Sequence, residues 1–148
     1  MEKLDSPKLS DVKIEDRFWS RYIKLVREKM LPYQWEVLND RVNDAAKSHC
    51  IENFKIAAKE STGKYYGMVF QDTDVAKWLE ALAYSLEGEK NGELEKEADE
   101  VIDLIGRAQQ QDGYLDTYYT IQEPLGRWSN LRAVSYTHLR AHETRSNL

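Results

Sequence analysis

The chain predicts a mainly α-helical protein built from antiparallel helix pairs, and three observations predict it. Val75, Trp78, Leu79, Leu82 and Leu86 fall at i, i+3, i+4, i+7 and i+11, the spacing of one helical face. After a short charged turn, Leu94, Ala98, Val101, Ile102, Ile105 and Ala108 repeat that spacing. Asp112-Gly113 then stops the second run abruptly.

Taken in order, residues 1–11 form a polar lead-in containing Pro7. Val12-Lys13-Ile14 alternates as a very short strand does. Asp16 is placed to cap a helix opened by Arg17, Phe18 and Trp19. Phe18, Tyr22, Leu25, Val26 and Met30 make a stripe expected to face a core. Pro32 is expected to end or kink that helix near Leu31, because it lacks an amide donor and its ring crowds the preceding turn. A second short helical piece is expected over Tyr33–Leu38, and another around Ile51–Ala58. Ser61-Thr62-Gly63-Lys64 reads as a turn, and Tyr65–Phe70 as an extended apolar segment.

The first central helix is predicted over Thr73–Leu86, with Asp72 or Thr73 as its cap and Asp74 on the positive end of its dipole. Gly88 and Gly92 bracket the turn. The second helix is predicted over Glu93–Gln110, with acidic residues in its first turn and Arg107 in its last. Tyr114–Ile121 alternates weakly and is expected to be an extended loop or short strand. From about Ala133 the sequence changes character and resembles a translated linker. Residues 133–148 are therefore set apart as a foreign tail, leaving 1–15 as lead-in and strand and 16–132 as the folded part.

Composition bounds the function. Hydrophobic residues at 41% and charged residues at 32% fit a globular chain. A net charge of −5 with no concentrated basic face argues against a nucleic-acid partner. No apolar run approaches the ~20 residues of a membrane span, so no membrane partner is expected. Met1–Lys13 has no apolar signal core, and the single cysteine, Cys50, builds no disulfide framework. These features together lead to the expectation of a cytoplasmic protein.

One place looks like a binding face. Asp72 and Asp74 lie where the first central helix starts, and Asp112 and Tyr114 lie where the second ends. In an antiparallel hairpin those two places share one end. Capping and dipole compensation account for the aspartates equally well. Trp78, one helical turn in, reads as core. His49-Cys50 suggests an activated thiol, but no third orienting group accompanies it. His138 and His142 with Glu143 imitate a zinc pair inside the foreign tail.

Phe70–Ala81, with Gln109–Tyr119 behind it, resembles the β-L-arabinofuranosidases of glycoside hydrolase family 127. Val12–Trp19, Ser48–Phe54 and Arg127–Arg132 resemble the same family in consistent order, over roughly residues 10–132. The resemblance implies an incomplete (α/α)6 barrel: the first αα-hairpins of a catalytic domain that in the family is followed by β-sandwiches. It implies retaining hydrolysis of terminal β-L-arabinofuranosides, with an L-arabinofuranoside-containing oligosaccharide as the parent's partner. It also implies a zinc-held cysteine nucleophile and a separate glutamate, all downstream of Arg132. No catalytic residue, metal ligand or cofactor is therefore assigned here, and zinc is expected only in the full-length parent.

In such a barrel the site opens at the N-terminal ends of the inner helices. Asp72, Asp74, Asp112 and Tyr114 then become candidate substrate contacts, with Tyr118 and Tyr119 at the pocket mouth. Carboxylates accept hydroxyl hydrogen bonds, and aromatic rings cover the C–H faces of a sugar. Two alternatives stand beside this reading. One is another α/α-barrel sugar enzyme, such as an unsaturated glucuronyl hydrolase; the other is a non-enzymatic helical interaction module.

Overall fold

A computed structural model describes residues 7–129. Residues 130–148, which include the end of the Arg127–Arg132 motif, the stretch set apart as a foreign tail, and His138 and His142, lie outside the described residues.

After a short 3-10 turn at Leu9–Asp11 alongside the later hairpin, residues 12–16 have no regular secondary structure. The Asp16 carboxylate accepts from the Phe18 and Trp19 amides just ahead of α1 (Trp19–Leu25), whose N-cap is Phe18 rather than Asp16. A π-helical turn (Val26–Met30) leads directly into α2 (Leu31–Leu38). Then come α3 (Cys50–Ala57), α4 (Asp72–Gly88), α5 (Gly92–Ala108), α6 (Thr117–Ile121) and a 3-10 turn at Pro124–Gly126. This is a mainly helical partial barrel, with α2 and α3 packed on α4, α5 against α3 and α4, and α6 against α3.

The core sits among α2, α3, α4 and α5. Trp35 stacks on Trp78 with ring centroids 4.7 Å apart. The Trp78 indole also donates to the Leu31 carbonyl at 3.1 Å, so a buried polar edge is satisfied. Leu31, Phe54, Val75, Leu82 and Val101 fill the surrounding space. Asn91 caps α5 by accepting from the Glu93 and Leu94 amides.

Four expectations are corrected. Val12–Ile14 is not a strand: no strand exists among the described residues, Val12 and Ile14 are both exposed, and a strand needs a ladder partner. Pro32 does not end the helix. Leu31 donates five residues back to Val26, and this widened turn lets Pro32 sit in the first turn of α2, where no amide donor is required. The Phe18–Met30 stripe faces solvent rather than a core. Residues 117–121 are helical, because the Asp116 side chain accepts from the Tyr119 amide as a helix cap and overrides the β preference of Thr and Tyr.

Candidate functional site

The N-terminal ends of α3, α4 and α6 converge on two adjacent residues, Gln71 and Asp72. The Gln71 side-chain amide donates to the Ser48 carbonyl at 3.1 Å, and its oxygen accepts from the Met68 amide at 3.2 Å. The Gln71 backbone carbonyl receives the Cys50 thiol at 3.6 Å. The start of α4 is thus fixed to the start of α3.

Asp72 makes the second tie. It is 2% exposed, and its oxygens accept from the Thr117 amide at 2.7 Å and the Thr117 hydroxyl at 2.5 Å. Asp72 therefore does not cap α4, and neither does Thr73, whose hydroxyl donates back to the Phe70 carbonyl. Asp72 lies behind the surface, and Asp74, on the exposed side of the same turn, pairs with Lys77 at 3.3 Å.

Asp112 and Tyr114 come together in a second cluster, the turn that ends α5. Asp112 accepts from the Tyr114 amide at 3.1 Å and from the Arg127 guanidinium at 3.0 Å. The Tyr114 amide and the positive charge of Arg127 hold the Asp112 carboxyl below its ordinary pKa. Arg127 also lies over the Tyr114 ring, 4.3 Å from its centroid, and Trp128 meets that ring edge-on. Gly113 has φ +83°, which the turn requires and a side chain resists. Nearby, Tyr118 packs edge-on against Tyr65 and Tyr119, and its hydroxyl donates to Glu123 at 3.1 Å. That bond to a carboxylate pushes the phenol pKa up. Tyr119 is buried.

A third cluster forms where α2 passes to α3. Asp40 accepts from the Ser48 and His49 amides and faces the His49 ring nitrogen Nδ1 at 3.1 Å. Asp40 and His49 both hold left-handed backbone, φ +60° and +53°. An open cleft of about 300 Å³ lies beside them, lined by Asn39, Asp40, His49, Ile51, Glu52 and Lys55.

Cys50 is fully buried, and burial pushes its pKa up to about 11. It is a packed thiol, not an activated nucleophile. Nor do the residues fit the zinc site implied by the resemblance: that needs several cysteines, and the chain has one. Among the described residues no group of three His, Cys, Asp or Glu side chains is placed to hold a metal ion. No helix among them is long and apolar enough to cross a membrane.

Sequence reasoning missed Thr117, Gln71, Asp40 and Arg127. Asp116 before Thr117 was a readable cap signal. The partnership of Thr117 with Asp72 spans 45 residues and leaves no local pattern.

A family profile described as β-L-arabinofuranosidase, GH127 catalytic domain, matches residues 11–144. The match reaches past Arg132 into the stretch set apart as a foreign tail. A non-reducing end β-L-arabinofuranosidase of Bifidobacterium longum subsp. longum is 42% identical over 132 residues, covering 81% of this chain and 20% of that protein. The crystal structure of a GH127 β-L-arabinofuranosidase from Geobacillus stearothermophilus T6 superimposes with a TM-score of 0.80 at 67% identity, covering 81% of this chain and 19% of that one. Another solved GH127 β-arabinofuranosidase gives a TM-score of 0.66 at 34% identity, over 76% of this chain and 17% of that one. The chain thus spans about a fifth of the length of the relatives it matches.

Proposed function

The chain belongs to the GH127 β-L-arabinofuranosidase family, and from that premise we propose that it supplies the first helices of a glycoside hydrolase that releases terminal β-L-arabinofuranose. The observation that carries this is the convergence of three helix N-termini at Gln71–Asp72, beside exposed carboxylates and aromatic rings. Asp74, Asp112 and Tyr114 then touch the sugar: the carboxylates accept its hydroxyls and the ring covers a C–H face. Asp72 serves them from behind.

Bond cleavage belongs to groups outside this chain, and zinc belongs with them in the parent protein. Its partner is an L-arabinofuranoside-containing oligosaccharide, and its compartment is the cytoplasm. We also infer that residues 133–148 are foreign to the native protein. Re-reading the DNA across codons 125–150 checks this, since an unbroken confirmed frame ending after Leu148 removes it.

The functional test is a graft. Residues 11–129 replace the matching stretch of the Geobacillus enzyme, and arabinose release from an aryl β-L-arabinofuranoside is measured. The chimera is expected to turn over, whereas the 148-residue chain alone is expected to release nothing, with or without added zinc. Turnover by the clean chain alone contradicts the assignment of catalysis elsewhere. A folded but inactive chimera contradicts the placement of these helices in the active domain.

A further inference from the structure

We infer that Asp72 is a positioning residue, whose buried carboxylate fixes the Asp112–Asp116 turn against the start of α4 and so sets the gap between Asp74 and the Asp112–Tyr114 pair. The functional half of this inference rests on the reading above; the clamp itself does not.

A carboxylate at 2% exposure is costly unless its oxygens are satisfied. Here both oxygens are used on a single residue, one by the Thr117 amide and one by its hydroxyl. Two bonds to one residue fix orientation as well as distance, and bonds to an ionised acceptor are about twice as strong as neutral ones. Thr117 is itself buried, so water cannot readily replace either bond.

The other end of the turn is already held to α5. Gly113 donates its amide to the Gln110 carbonyl at 2.8 Å, and the Gln110 amide donates to the Tyr114 carbonyl at 2.9 Å. The Gln109 side chain donates to the Gly113 carbonyl at 2.9 Å. These bonds close the turn on itself, Arg127 holds Asp112 from outside, and Leu115 packs against the core. The Asp72–Thr117 contact adds a buried two-bond tie from the turn's end to the start of α4.

Asp72 also suits its place energetically. It lies in the first turn of α4, where the helix dipole favours a negative charge, without having to cap the helix. Its neighbour Gln71 locks the opposite side of the same helix start to α3. One dipeptide thus sets two flanking segments against α4. Because Asp72 is buried, it reaches a sugar only through the turn it holds.

The test is amide hydrogen exchange on the full 148-residue chain, comparing wild type with Asp72→Asn, Thr117→Val and Thr117→Ser. Asparagine keeps the shape but loses one acceptor. Protection over residues 113–119 is expected to fall by about tenfold or more in Asp72→Asn and Thr117→Val. It should stay near wild type in Thr117→Ser, and α5 should be unchanged in all three. Should Asp72→Asn unfold the chain, the Thr117→Val and Thr117→Ser pair decides. An unprotected Thr117 amide in wild type, or equal losses in α5 and in the turn, sinks the clamp.

The functional half is read in the chimera. Asp72→Asn is expected to raise KM about tenfold while kcat changes less than about threefold, since positioning of bound substrate is what it disturbs. Lost protection with an unchanged KM removes the positioning role and keeps the clamp. A folded wild-type chimera without activity removes the earlier reading, and with it the functional half.

Discussion

The first long helical path, Trp19 to Leu38, has two halves that look alike in sequence and differ in fate. In the second half, Leu31, Trp35 and Leu38 are buried against α4. In the first half no residue is buried, and Phe18 and Trp19 are 55% and 59% exposed. Phe18, Trp19 and Tyr22 pack on one another instead, with centroids 5.0 to 6.5 Å apart. Arg27 ties this half to the end of α4 through Ser85 and Glu89, a polar contact that covers no apolar stripe. An amphipathic pattern states that a face is to be covered; it does not state by what. Exposed apolar faces of this kind promote association.

The contrast is open to direct attack. Trp78→Ala removes the stack on Trp35 and the bond to the Leu31 carbonyl, and is expected to cost about 3–5 kcal/mol, a large share of a small domain's stability. A urea melt followed by far-UV circular dichroism reads it, and an unmoved midpoint means the second half is not the anchor. Next in size is a pH effect. The folded Cys50 pKa of about 11 lies above its ordinary 9.0, so the native state favours the neutral thiol. Its contribution is complete below pH 9 and is lost as pH rises to about 11. By linkage that amounts to about 2–3 kcal/mol at the alkaline end. Melts of wild type and Cys50→Ala at pH 8 and pH 11 isolate it, and parallel losses in both refute it.

Asn53→Ala comes third. The Asn53 amide is fully buried, donates to the Tyr66 carbonyl at 2.8 Å and accepts from its amide at 3.2 Å. Stranding those two groups is expected to cost about 1–3 kcal/mol, with the 65–70 loop becoming the first site of limited proteolysis. The smallest effect is expected from Trp19→Ala, within about 0.5 kcal/mol in the melt. The same substitution is expected to reduce concentration-dependent association on gel filtration. A large loss of stability there would show that the first half is anchored after all.

What was legible in the sequence follows from where each feature's causes lie. The α4–α5 hairpin was readable because its apolar spacing, its charged turn and the Asp112–Gly113 stop are all local. The role of Asp16 as an acceptor for amides just ahead of a helix was readable for the same reason. Asp72 was read among helix-end charges and sugar contacts, because its true partner is 45 residues away. Tyr114–Ile121 was read as an extended loop or short strand because it alternates weakly, and the weight of Asp116 as a cap was missed. Pro32 was expected to end or kink the helix near Leu31, and sequence does not show that the preceding turn widens to admit it. The candidate contacts fall in two clusters: Asp112 and Tyr114 share one with Arg127, and Asp74 pairs with Lys77 in the first turn of α4, where Asp72 binds Thr117.

Cys50 is the chain's single thiol, enclosed where α3 meets α4. An alkylating reagent reaches it only when those two helices part, so the loss of free thiol is a clock for that one event. At low reagent concentration the rate reports how often the junction stands open, and at saturating reagent it reports how fast it opens.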